Sequence, residues 1–314
     1  MSNNVTLKLT TSSNVEHTFS DVLSFRVVKE YYTPYSTLTV QAVYPVETGN
    51  LYKKVELILN NKVIHSGLVD TSTVNRISDF KTITITSKSF TVLLCQNQLA
   101  PELKNNVSLS SLIDSFISIP EISHEDNQEV VNYIYIKNAS TLWDAVINLT
   151  HKINSGHPYV RENNKVMVSL KDDANILQLN QNRVISTGTV LDTTKIISDI
   201  HMQDIQGNYS TYNLNNEYAS NLNIVRHKHI DLDRQYLSNP QDALIHKINF
   251  SMRGYYSVYA TYMGYSNEDI GDYVSFYNYY PKSRISKLEI TGNNGSVTTK
   301  VYAYTDNYLS YDKN

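Results

Sequence analysis

Residues 59–72 read LNNKVIHSGLVDTS. An apolar run stops at Asn60 and Asn61, restarts at Val63, and passes Ser66 and Gly67 before reaching Val69 and Asp70. Asparagine tolerates the left-handed backbone that a two-residue hairpin needs, so Asn60-Asn61 marks a tight reversal between strands. The residues after the reversal suit three structures: a ligand loop, a phosphate cradle or the corner of a β-barrel. A cradle needs several convergent N–H groups, which one glycine without a following Lys-Ser/Thr cannot supply. The corner is the better expectation: Gly67 permits a bend or bulge, and Asp70 begins the exit turn.

Period-two alternation surrounds this hairpin. In VTLKLTT, Val5, Leu7 and Leu9 share one face, and residues 23–28, 36–44, 54–59, 62–69 and 81–86 continue as strands. Thr33-Pro34, Gly49-Asn50, Asn60-Asn61 and Ser78-Asp79 punctuate them. Residues 1–98 therefore read as a first β-barrel-like domain. The period then changes. Leu109, Leu112, Ile113, Phe116 and Ile117 define one helical face in 108–119, with Ser108 as N-cap. A second helix starts at Ser140 and stops at Gly156, with Leu142, Val146, Leu149 and Ile153 facing one way. A hairpin turning at Asn163-Asn164 comes next, so 99–170 forms a small α+β domain. The tetrapeptide NNKV occurs at both 60–63 and 163–166, and its flanks do not match, which indicates two independent hairpins. Residues 171–314 return to strands at 195–203, 210–214, 223–233, 255–265, 272–277, 283–292 and 298–306. One helix interrupts them, capped by Asn239, opened by Pro240 and ended by Gly254. The expected fold is mainly β with minor α+β: two small barrel- or tube-like domains joined by a small α+β insert.

Composition narrows the function. The 314 residues carry a net charge of −3, without the basic surplus expected of a protein that coats nucleic acid. No apolar run approaches the roughly 20 residues that span a bilayer. The start, MSNNVTLKLT, has no basic-then-apolar leader, so the expected compartment is the cytoplasm. The single Cys95 lies in apolar FTVLLCQN, which suits an inert buried thiol. Tyrosine occurs 25 times, favouring strands and protein contacts.

Catalytic motifs are absent: no nucleotide-binding glycine loop, no H-E-x-x-H and no G-x-S-x-G. The sharpest metal candidate is RHKHIDLD, whose His227, His229, Asp231 and Asp233 share one strand face. Ligands about 6.6 Å apart along a strand do not converge on one ion, so the plainer expectation is a wet strand face. Glu125-Asp126 and Glu268-Asp269 read as solvated loop pairs rather than a catalytic dyad. His151, Lys152 and His157 sit where a helix C-terminus favours positive charge. No cofactor is expected.

The order of elements resembles the tail-hub, or late-control, family of contractile phage tails and related bacteriocin-like particles. NNKVIHSGLVD (60–70) is similar to the family's barrel corner, and TITITSKSFTVLL (82–94) to the strand leading out of it. STLWDAVINLTHKINSGHPYVRENNKVMVSL (140–170) resembles its helix and hairpin, and YYSVYATYMGY with EDIGDYVSF its final barrel. Lys88 stands where arginine is common, and 203–235 departs from the pattern. The resemblance implies a structural, non-enzymatic homotrimer whose ring adapts the hexameric tail tube to the trimeric central spike. Its implied partners are the tube protein, the spike, other baseplate proteins and a tape-measure protein, without membrane or specific nucleic-acid binding. The implied location is cytoplasmic during assembly, then a virion or released particle. Two alternatives stay open. One is a receptor- or carbohydrate-binding module using Tyr255, Tyr256, Tyr279 and Tyr280; the other is a cell-wall hydrolase of the same particle.

Overall fold

The computed structural model describes residues 4–46, 49–78, 80–170, 176–179, 183–232, 240–276, 280–293 and 295–305. The first segment contributes β1 (Val5–Thr11), β2 (Glu16–Phe19), β3 (Val22–Glu30), β4 (Thr37–Val43), β5 (Tyr52–Leu59), β6 (Lys62–Ile77) and β7 (Phe80–Ser89). The middle holds α1 (Leu93–Gln96), β8 (Glu102–Val107), α2 (Leu109–Ile113), β9 (Ser123–His124), β10 (Val131–Ile136), α3 (Leu142–Asn154), β11 (Tyr159–Arg161) and β12 (Lys165–Met167). The last segment starts with β13 (Ile176–Leu179), β14 (Val184–Leu191), β15 (Asp199–Met202), β16 (Tyr212–Asn215), α4 (Glu217–Asn221) and β17 (His227–Ile230). It continues through α5 (Pro240–Ser251), β18 (Tyr256–Met263), β19 (Tyr273–Phe276), β20 (Tyr280–Arg284), β21 (Lys287–Asn293) and β22 (Ser296–Tyr304).

Eleven of these strands make one curled antiparallel sheet, ordered β14-β18-β22-β21-β3-β4-β7-β6-β5-β1-β2. The β-rich ends of the chain therefore join edge to edge. β21 pairs with β3 along its whole length, from Lys287 opposite Glu30 to Asn293 opposite Ser24. Alternation explains the core beneath. Leu7, Leu9, Val27, Val40, Leu57 and Ile85 from the first segment meet Leu288, Ile290 and Val301 from the last in one buried cluster. Two glycines are demanded by close approach. A Cβ at Gly67 would lie 2.1 Å from the Lys88 carbonyl oxygen, and one at Gly292 would lie 2.0 Å from the Phe25 ring.

Asn60 and Asn61 take φ of 49° and 66°, and Leu59 pairs with Lys62, as a two-residue hairpin requires. Asp70 does not open a turn. The ladder steps from Val69–Ser87 to Thr71–Thr86, so Asp70 is the extra residue of a bulge and β6 runs on to Ile77. Threonines and other β-branched residues on both sides of the bulge keep the chain extended.

The middle segment packs its own core around Leu109, Ile134, Trp143, Val146 and Leu149. The helix expected over 108–119 is shorter than the apolar spacing predicts. α2 ends at Ile113, and Phe116 is left exposed, because Ile117 and Ile119 lead directly to Pro120, which cannot continue a helix. α3 is capped by Thr141 rather than Ser140, and Ser155, not Gly156, takes the left-handed exit at φ 58°. Asn239 lies outside the described residues. β14 and β18 are hydrogen-bonded neighbours, so everything from 192 to 255 is an excursion between them. Within it, the sheet β16-β15-β17 and α5 share a third small core of Ile200, Met202, Ala243, Leu244 and Ile248.

Gly67→Ala should cost about 2 kcal/mol or more, because the obstructing atom is backbone and cannot rotate away. A urea midpoint unchanged from wild type would refute the close-packed β6–β7 ladder at this point.

Candidate functional site

Only some of the chemistry-bearing residues picked out from the sequence are exposed. Glu268 and Asp269 are not in a solvated loop. They are 3% and 1% exposed, and Asp272 is 1% exposed, because Glu268–Asp272 packs inward, with Lys29 of the main sheet and Arg161 of the middle segment against it. The Lys29 ammonium on β3 donates to Asp269 Oδ1 at 2.9 Å, and the Glu162 amide donates to Asp269 Oδ2 at 2.6 Å. Arg161 on β11 donates to Asp272 Oδ1 at 2.8 Å, and the Asp269 amide donates to Asp272 Oδ2 at 2.9 Å. Arg284 on β20 donates to the Gly271 carbonyl at 3.0 Å. Gly271, at φ 85°, lets this backbone run against the Tyr159 ring. Burial alone would push the Asp269 carboxyl up; Lys29, its hydrogen bond and Arg161 outweigh burial and hold it below the ordinary range. Glu268 behaves oppositely. Burial pushes it up to about 7, its carboxylate accepting from the Tyr262 hydroxyl and the Ser266 amide.

The two NNKV hairpins meet beside this clasp. Asn164 donates to the Ser66 carbonyl at 3.3 Å, and Lys62 pairs with Glu162 at 2.6 Å. Asn163 and Asn164 repeat the left-handed turn of Asn60 and Asn61. Between the hairpins, buried His65 is bridged by the Ser36 and Ser87 hydroxyls, both at 2.8 Å. Burial and the Lys29 charge push its imidazole down to about 3, so it is a neutral structural bridge. Glu125 is also buried, accepting from the Val168 amide and the Ser169 hydroxyl, whereas Asp126 stays exposed. Cys95 is half-buried, its thiol pushed up to about 11 by burial and Asp144. Lys152 lies 3.3 Å over the Tyr133 ring and donates to the Tyr133 carbonyl, while His157 is buried beyond the helix end.

His227 and His229 do share a face of β17, as expected of an extended strand. Parallel β15 adds Asp199 and His201 directly opposite them. Asp199 Oδ2 lies 2.5 Å from His227 Nδ1, and the His201 and His229 rings stack at 5.0 Å. Among the described residues, no three His, Cys, Asp or Glu side chains are arranged to hold a metal ion. Asp231 lines an open groove of about 870 Å3 with His229, and Asp233 lies outside the described residues. Tyr255 packs edge-on against Tyr218, Tyr256 stands opposite Leu191 in the β14 ladder, and Tyr279 lies outside the described residues. The side chain of Tyr280 is likewise not described.

Among the described residues, neither outer strand of the main sheet has a partner on its outer side. β14, VISTGTVL, has no charged residue, and Ile185, Val190 and Leu191 are all exposed. Natural edge strands usually carry lysine, proline or a bulge that prevents pairing with another chain; β14 has a bulge at Ile185 but neither lysine nor proline along its length. β14 was not legible from periodicity, because both of its faces are wet and no apolar/polar alternation results; its β-branched residues were the available signal. Cross-strand ion pairs such as Arg26–Glu289 and Lys8–Glu16, and Lys300 over Tyr259 and Tyr302, neutralise other exposed positions of the sheet.

Comparison with solved structures finds the same fold in phage tail proteins. The tail protein from Neisseria meningitidis MC58 matches with a TM-score of 0.71 at 11% identity, over 98% of each chain. The 43 kDa tail protein of prophage MuSo2 from Shewanella oneidensis matches with a TM-score of 0.69 at 12% identity, over 96% of this chain and 98% of that one. A component of the type VI secretion system from E. coli matches with a TM-score of 0.57 at 8% identity, over 93% of this chain and 75% of that one. No protein-family model matches, and no curated protein matches by sequence.

Lys29→Ala should cost about 3–5 kcal/mol, because it strands the Asp269 charge in the interior. Thermal melts at pH 7 measure it, and a loss below about 1 kcal/mol would contradict the clasp. The Glu268 carboxyl binds its proton more tightly folded than unfolded, so its contribution is full below about pH 4.5 and declines as pH rises through 7. Glu268→Gln should therefore flatten the fall in stability between pH 4.5 and 7; equal slopes in both proteins would count against this assignment.

Proposed function

We propose that this chain is a structural hub of a contractile tail baseplate, a homotrimer whose ring adapts a hexameric tail tube to a trimeric central spike. One observation supports the tail role above the others: nearly the whole chain overlays nearly the whole of two tail proteins. The sheet supplies the means of assembly. Its uncharged edge strand β14 offers a row of outward N–H and C=O groups with exposed apolar neighbours, which suits pairing to another copy. The buried clasp fixes the middle segment rigidly on the sheet, as a part that transmits load between tube and spike requires. Tube, spike, neighbouring baseplate proteins and a tape-measure protein are the partners of this hub.

In the assembled hub the eleven-stranded sheet of the first and last segments forms the ring, and 99–170 is carried on it by the clasp. Tyrosines near the sheet edge, including Tyr256, serve subunit contact rather than sugar stacking. The role is structural; clearing of intact cell walls by the purified chain would overturn it. The chain is made in the cytoplasm and ends in a virion or a released tail-like particle.

Solution mass, with and without the co-expressed spike and tube proteins, tests this directly. The expected result is three chain masses and retention of both partners. A monomer that retains neither would refute the hub. Placing charge on the edge, by Thr187→Lys with Thr189→Lys, should shift the trimer to monomer while changing monomer stability by no more than about 0.5 kcal/mol. A trimer undisturbed by this pair would remove β14 from the interface.

A further inference from the structure

α5 has two working faces. Ala243, Leu244 and Ile248 close the small core of the 192–255 excursion. His246 and Phe250, one helical turn apart, point the other way into a joint with the rest of the protein. There the His246 ring lies 4.4 Å from the His151 ring of α3, and the Phe250 ring stacks on buried His157 at 5.4 Å. Tyr32, from the β3–β4 connection, closes the group at 4.9 Å from His157 and 5.9 Å from Phe250. Three histidines, two from the middle segment and one from α5, thus meet with Tyr32 where the excursion, the middle segment and the main sheet touch.

The surroundings favour uncharged rings. Burial is the largest opposition to a proton on all three; the other two histidines and then Lys247 add to it at His246 and Arg253 at His157, whereas the Pro158 carbonyl favours a proton on His157 and Asp242 one on His151. Tyr304 of β22 stacks over Tyr32 and donates to Glu30, so the nearby carboxylate on β3 is already engaged by a hydroxyl. Lys152 of α3 is turned to the Tyr133 carbonyl. Burial depresses His157 and His246 to about 3 and also lowers His151. Linkage sets the sign. The closed joint binds fewer protons than the open one between about pH 3 and 6.5, so its stability is full above that window and falls as pH drops through it.

We propose that this histidine joint is an acid-released latch: as pH falls below neutrality, α5 and the small sheet it carries detach from α3 and Tyr32 while the eleven-stranded sheet stays folded. The flanking ionic clasp does not share this behaviour. Asp269 is lost only in stronger acid, and Glu268 shifts stability in the opposite direction.

Amide hydrogen exchange on the full chain at pH 7 and pH 5, corrected for the intrinsic exchange rate, tests the latch. Protection of 243–251 should fall at least tenfold on acidification and end well below that of β1, β5 and β21, since His157 and His246 each contribute a factor of roughly 25 over that range. His246→Phe and His157→Phe, which keep a ring without a titrating nitrogen, should each shrink the step, and the double variant should remove most of it. Flat protection of α5 in the wild type would overturn the latch, as would a full step in the double variant. If one variant fails to fold, the wild-type profile and the other variant still decide.

Discussion

A lysine ammonium and an aspartate carboxylate 2.9 Å apart, both withdrawn from water, hold the two ends of this chain to its middle. Lys29 belongs to the third strand, Asp269 follows the eighteenth, and Arg161 and Glu162 at the tip of a middle hairpin complete the set. A buried ion pair contributes little net stability against an apolar replacement, yet it punishes any arrangement that leaves one charge alone. Its value here is geometric. The curled sheet could tolerate many placements of the middle segment by apolar contact, and the clasp admits one in which every carboxylate oxygen of Asp269 and Asp272 finds a donor.

Legibility in the sequence tracked local periodicity. The strands of residues 1–98 stood out because one face is buried and one is wet, and the Asn60-Asn61 hairpin because only a few residues accept that backbone. Three features escaped for distinct physical reasons. β14 has no buried face to generate a pattern. The β3–β21 seam is a pairing across almost the whole chain, and nothing in either strand names its partner. The buried fate of Asp269 depends on cations supplied by residues 29 and 161, and Glu268 beside it is held by the Tyr262 hydroxyl and the Ser266 amide, so a polar stretch that reads as solvated loop is sealed by tertiary contacts. The fold resemblance, in contrast, was legible, because it rests on element order rather than on any side chain.

The same logic explains why a histidine row on one strand was weak evidence. Along β17 the rings are too far apart to converge, and neighbouring β15 brings Asp199 and His201 beside them without making a metal-binding set among the described residues. Meanwhile the pair NNKV, read as two unrelated turns, proved to be two turns in contact. Repeated turn chemistry gave each hairpin its shape; tertiary packing made them neighbours.

Leu191 and Tyr256 stand opposite each other, and the Asp192 amide donates to the Tyr255 carbonyl at 2.7 Å. The long excursion therefore leaves and re-enters the sheet at a single rung. For the ladder, it is equivalent to a two-strand turn of arbitrary length, since lengthening a loop between fixed ends costs entropy only logarithmically. The sheet can thus exchange this whole appendage for another, or for a short reversal, without altering any of its eleven strands. Insertion has a natural port of entry here, hinged on two adjacent backbones.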